Sequence, residues 1–143
     1  MDFAQLLEFI GNHPLLFAAF FGVLGLLVAG ELRSRLSGVR PVDPTEAILL
    51  SNRQDALFLD IRDDGEYQSG HIPDAIHIPL KQLPERVAEL EKYRDRPLIA
   101  YCRSGNRSAS AGAVLRKQGF ENVYNLGGGM LAWQNANLPV RKK

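Results

Sequence analysis

The chain has 143 residues, a formal net charge of +1 and 45% hydrophobic residues, enough for one compact domain plus an appendage and too little for two ordinary domains. Its single cysteine, Cys102, excludes an internal disulfide and a cysteine-rich zinc site, and a lone thiol fits a reducing compartment. The overall charge gives no sign of a nucleic-acid partner, but all 17 Lys and Arg follow residue 30, while the segment before it carries only Asp2 and Glu8. That asymmetry points to a membrane.

Phe3, Leu6, Leu7 and Ile10 recur at helical spacing ahead of Pro14, which suits either a short helix lying in the membrane interface or an extension of the span that follows. Residues 1–13 are accordingly set apart as an N-terminal segment. From Phe9 to Gly30 no residue is charged, and PLLFAAFFGVLGLLVAG, residues 14–30, has no polar side chain on any helical face. This run rises about 26 Å, and the uncharged residues before it bring the stretch to spanning length. A transmembrane helix over 14–30 is expected. A cleaved signal peptide would start basic and end in small residues, whereas this segment starts acidic and runs into ELRSR. Arg33, Arg35 and Arg40 follow the span closely, which predicts an N-terminus outside and the rest of the chain in the cytoplasm. Ala18, Gly22, Gly25 and Ala29 share one stripe of the helix, along which a partner transmembrane helix could approach.

A short basic linker, residues 31–39, leads into a domain over 40–143. Asp43, Pro44 and Glu46 fit an N-cap, a first-turn proline and the third position of a capping box, predicting a helix through TEAILLSN. ALFLDI, residues 56–61, is nearly all apolar and predicts a strand buried on both faces. AIHIP at 75–79 predicts a shorter strand, and LPERVAELEKY a helix with Leu83, Val87, Leu90 and Tyr93 on one face. RPLIAYC at 97–102 predicts a buried strand ending on Cys102, SASAGAVLRKQG a helix closed by Gly119, NVYNL a strand, GGG a turn and MLAWQNA a last helix. Alternating strands and helices predict an α/β domain with a largely parallel sheet.

Ligands of open α/β sheets bind at the carboxyl ends of strands beside helix N-termini, where the spacing puts Cys102. The loop from Cys102 to Arg107 enters a helix near Ser108, so backbone N–H groups and the helix dipole converge on the sulfur. Arg103 and Arg107 add positive charge that favours a thiolate, and Ser104 and Gly105 let the backbone bend tightly around it. Cys102 is the candidate nucleophile, and Arg103, Ser104, Gly105, Asn106 and Arg107 are the candidate binding loop.

These stretches resemble the rhodanese-like sulfurtransferases over residues 40–140. LFLDIRDDGEYQSGHIPDAIHIPL is similar to the family's leading motif, LIAYCRSGNRSASAGAVLRKQGF to its active-site motif and VYNLGGGMLAWQNANLP to its closing segment. Asp74 and Asn137 stand where glycine is usual. The resemblance implies a five-stranded parallel sheet between helices and a Cys102 persulfide formed from thiosulfate or a persulfide donor. It also implies discharge of that sulfur to a thiol or to cyanide, with no metal or organic cofactor. The layout of one span and one such domain resembles membrane-anchored rhodaneses of the bacterial inner membrane. Asp60 and Arg62 read as structural, His71 and His77 as framework, Gly127–Gly129 as a turn and Trp133 as core. Two other functions compete: a phosphatase, which would need a Cys-x5-Arg loop where this chain has Cys-x4-Arg, and a membrane adaptor that binds proteins.

Overall fold

The computed structural model describes residues 2–142; Met1 and Lys143, the outermost residues of the expected N-terminal segment and domain, lie outside the described residues, as does the side chain of Ser34. The chain divides into two compact units, with the boundary between Leu36 and Ser37.

The first unit is helical. Helix α1, Phe3–Asn12, starts at a capping box in which the Asp2 N–H donates to Gln5 Oε1 at 3.2 Å, and it exposes Phe3, Leu6, Leu7 and Phe9. Helix α2 runs Pro14–Leu36, with Pro14 at the first position, where a missing N–H costs nothing. Its Pro14–Arg33 portion, with a mean hydropathy of 2.2 and none of it buried, is long and apolar enough to cross a membrane. The helix continues through much of the expected 31–39 linker. Arg35 and Glu31 pair one turn apart at 2.7 Å, and Arg33 and Arg35 lie in the last turn, where cations suit the dipole.

The second unit is a five-stranded parallel sheet in the order β1-β5-β4-β2-β3. The strands are β1 Arg40–Val42, β2 Leu57–Asp60, β3 Ile76–His77, β4 Leu98–Tyr101 and β5 Val123–Leu126. Strand β1 was not expected from the residue pattern. It is three residues long with Pro41 in the middle, and it is tolerated because it pairs only with β5 at the sheet edge. Helix α3, Pro44–Gln54, begins as expected, with Asp43 Oδ1 accepting the Glu46 N–H at 2.8 Å. Helix α4, Asp64–Ser69, is a further addition. The helix expected from Leu83 is α-helical only over α5, Leu83–Arg86, and continues as a 3₁₀ turn over Val87–Tyr93, while still burying Leu83, Val87 and Leu90. Helix α6, Asn106–Lys117, ends before Gly119 at φ 90°, and α7, Gly129–Asn135, closes the fold.

Strand parity sorts the core. Leu57, Leu59, Leu98, Ala100 and Cys102 face one layer with Leu83, Leu90, Ala111 and Leu115. Phe58, Ile99 and Tyr101 face the other, with Ala47, Met130 and Trp133. Cys102 thus continues the β4 alternation toward α6. Asp74 and Asn137 adopt φ of 64° and 57°, the left-handed region where glycine is easiest and Asp and Asn are next best.

Candidate active site

Cys102 leaves the carboxyl end of β4, the middle strand, and the residue is 1% exposed. The chain then turns through Gly105 at φ 105°, a conformation that glycine adopts without steric cost. Helix α6 begins at Asn106, two residues before the expected start, so Arg107 and Ser108 sit in its first turn. There the backbone N–H groups have no partner within the helix. The Gly105 N–H donates to Cys102 Sγ at 3.0 Å, and Ser108 Oγ lies 3.4 Å from the same sulfur.

Burial pushes the Cys102 thiol up. The Ser108 hydroxyl and the N–H groups of Ser108, Gly105 and Ser104 together outweigh it, so the thiol pKa lies below its ordinary value. Backbone N–H groups of the loop were expected here, and the Ser108 hydroxyl joins them. Arg107 donates through both terminal nitrogens to Glu66, at 2.9 Å each. Its guanidinium is held charged first by that bond, with its pull toward Cys102 ranking behind. Glu66 in turn is held below the usual carboxylate range, chiefly by Arg107. Arg103, Ser104 and Asn106 are exposed at the mouth of the loop, whereas Gly105 is buried.

Besides Glu66 in α4, two elements brace the loop from outside it. Asn125 in β5 donates from Nδ2 to the Gly105 carbonyl at 3.0 Å and accepts at Oδ1 from the Ser108 hydroxyl at 2.5 Å. The start of α7 supplies N–H groups of Met130 and Leu131 to the carbonyls of Cys102 and Arg103, at 2.8 and 3.1 Å. Gly129, at φ 55°, lies so close that any Cβ there would collide with the Cys102 carbonyl. The glycine run is therefore more than a turn, since it lets a helix end close on the loop.

On the opposite face, Asp60 and Arg62 form a buried bidentate pair, and Arg62 also donates to the Gly70 carbonyl at 2.7 Å. Tyr67 is stacked between the rings of His71 and His77, at 3.9 and 4.3 Å. Each imidazole also donates to a backbone carbonyl, His71 to Tyr67 and His77 to Arg62. These groups tie the segment after β2 to the sheet. Among the described residues, no three His, Cys, Asp or Glu side chains gather as a metal site.

Of the partners of the loop, Ser108, Glu66 and Asn125 were not singled out from sequence. Ser108 stood at the expected helix start, but its approach to the sulfur depends on the helix beginning earlier. Glu66 and Asn125 reach the loop through tertiary structure alone.

The Rhodanese-like domain family matches residues 43–136. The Escherichia coli (strain K12) protein YibN, itself uncharacterized, is 32% identical over 137 residues, covering 95% of this chain and 96% of its own. A protein of Allochromatium vinosum named Sulfurtransferase is 44% identical over 91 residues, covering 64% of this chain and 83% of its own. The crystal structure of a thiosulfate sulfurtransferase from Pseudomonas aeruginosa superposes with a TM-score of 0.67 at 30% identity, over 79% of this chain and 22% of that one.

Proposed function

This chain belongs to the rhodanese-like domain family, and from that membership we propose that it is a membrane-anchored sulfurtransferase in which Cys102 carries sulfur from a small donor to a thiol acceptor. The observation that carries the reading is the buried Cys102 sulfur under the Gly105 N–H and beside the Ser108 hydroxyl at a helix start. That setting stabilises negative charge on sulfur without a neighbouring base.

In the first half-reaction the Cys102 thiolate attacks the outer sulfur of thiosulfate. The donor S–S bond breaks, its electron pair leaves with sulfite, and a new S–S bond forms on Cys102. A low-molecular-weight persulfide serves equally, leaving as a thiolate. The terminal sulfur carries the charge, and the N–H groups of the 103–107 loop stabilise it, with Arg103 and Asn106 exposed at the mouth to meet the donor. In the second half-reaction a thiol or cyanide attacks that terminal sulfur, and the Cys102 thiolate is released. Arg107 tunes the field while tied to Glu66. A phosphatase would need that guanidinium on phosphoryl oxygens.

The anchor is α2. The basic residues that follow its apolar portion, against Asp2 and Glu8 before it, support a single pass of a bacterial inner membrane with the N-terminus outside and the domain in the cytoplasm. The exposed stripe of Ala18, Gly22, Gly25 and Ala29 is available to a partner helix.

The purified full-length protein is expected to form thiocyanate from thiosulfate and cyanide with parallel double-reciprocal lines, the signature of a two-step covalent carrier. Cys102→Ser should reduce turnover to background. Undiminished turnover in Cys102→Ser would overturn the assignment of the nucleophile.

A further inference from the structure

We propose that Asn125 is a positioning residue for Cys102, its amide holding the Ser108 hydroxyl proton while the sulfur is neutral and releasing it to the sulfur once the sulfur is charged. The inference rests on the reading of Cys102 as the sulfur-carrying nucleophile.

A serine hydroxyl has one proton to donate. Ser108 Oγ has two acceptors in reach, Asn125 Oδ1 at 2.5 Å and Cys102 Sγ at 3.4 Å. Ser108 is fully buried, so the proton is shared between these two. Asn125 cannot settle the competition by turning its amide over. Its Nδ2 faces the Gly105 carbonyl at 3.0 Å, and a flip would set Oδ1 against that carbonyl oxygen, acceptor against acceptor. The carbonyl itself is pinned by the Ala109 N–H at 3.3 Å. The hydroxyl is therefore the only part free to change partner, and it does so by rotating about one bond while every heavy atom stays in place.

A neutral thiol is a weak acceptor and can itself donate S–H to Ser108 Oγ, which leaves the hydroxyl proton on Asn125. A thiolate or persulfide anion accepts a stronger, charge-assisted bond and draws the proton over. The loss of the Ser108–Asn125 bond then opposes charging of the sulfur. Asn125 thereby sets how readily Cys102 ionises, acting through Ser108 and not by contact with the sulfur.

The test is the pH dependence of Cys102 alkylation by iodoacetamide in the full-length protein, with sulfur loading by intact mass followed on the same samples. Asn125→Leu should move the alkylation midpoint down by about half to one pH unit, the worth of one hydrogen bond, and should move it no further in a Ser108→Ala background. Ser108→Ala alone should raise the midpoint, and Ser108→Thr, which keeps the hydroxyl, should restore it. An upward shift in Asn125→Leu, or an equal shift with and without Ser108, would show a plain structural brace and overturn the proposal. Should Asn125→Leu not fold, Asn125→Asp serves: its carboxylate grips the proton harder, so the midpoint should rise more with Ser108 than with Ala at that position, and equal rises would overturn the proposal. Alkylation needs no sulfur donor. Shifts as expected without sulfur loading would sink the sulfurtransferase reading and leave this one standing.

Discussion

Arg107 and Glu66 occupy the rim of the Cys102 loop as a bidentate pair, both partly exposed, at 39% and 31%. Glu66 titrates below the ordinary carboxylate range because of Arg107, so the pair's contribution is complete above the ordinary value of about 4.3 and is lost as pH falls through the depressed one. At neutral pH the pair is intact, and Glu66 cancels much of the field that Arg107 would offer an anionic donor. Glu66→Gln should accordingly raise the second-order rate of sulfur loading from thiosulfate, on the order of three- to tenfold at low salt and less at high salt. Arg107→Ala should lower it. Loading rates measured against ionic strength check this, and identical rates in all three proteins would refute it. The cysteine and its loop were legible in sequence because their placement is local, a buried strand running into a helix. Glu66 and Asn125 were not, because they lie 41 and 20 residues from the loop atoms they bind, and no periodicity encodes such a contact.

Helix α7 and the glycines before it give the loop its outer wall. Gly129 combines a left-handed φ of 55° with a backbone approach that leaves no room for a methyl group, so Gly129→Ala should destabilise the domain by about 2 kcal/mol or more. It should also return the Cys102 thiol toward its ordinary pKa, since the carbonyls of Cys102 and Arg103 lose their fixed partners. Asn137→Gly is the control. Asn137 shares the left-handed conformation, at φ 57°, but is exposed, and relief of strain there trades against unfolded-chain entropy for a change within about 1 kcal/mol. Denaturant melts of the two variants measure both effects, and similar losses in the two would contradict the account. Among the elements, β2, β4, β5, α3 and the body of α6 were readable from apolar runs and caps. Strand β1 escaped because a three-residue edge strand containing Pro41 has no pattern to show. Helix α4 escaped because its residues, DGEYQS, have no apolar stripe, being held instead by the Asp63 capping box and by Glu66 and Tyr67.

At the scale of the whole molecule, an apolar helical unit precedes a domain with its own two-layered core. The family match at 43–136 covers only the second unit, while the YibN relative spans both. The helical unit was legible at once from composition. The extent of α2 was not, because Glu31, Arg33 and Arg35 end the apolar run without ending the helix. The chain also holds a single thiol, so no second cysteine can discharge Cys102 internally, and a loaded sulfur must wait for an external acceptor. The full-length protein, reduced and then given thiosulfate or a low-molecular-weight persulfide without acceptor, should therefore show one added sulfur atom per chain by intact-mass measurement. Cyanide should remove that sulfur, and Cys102→Ser should not gain it. Folded, reduced protein that gains no mass from either donor would contradict the assignment of Cys102 as a sulfur carrier.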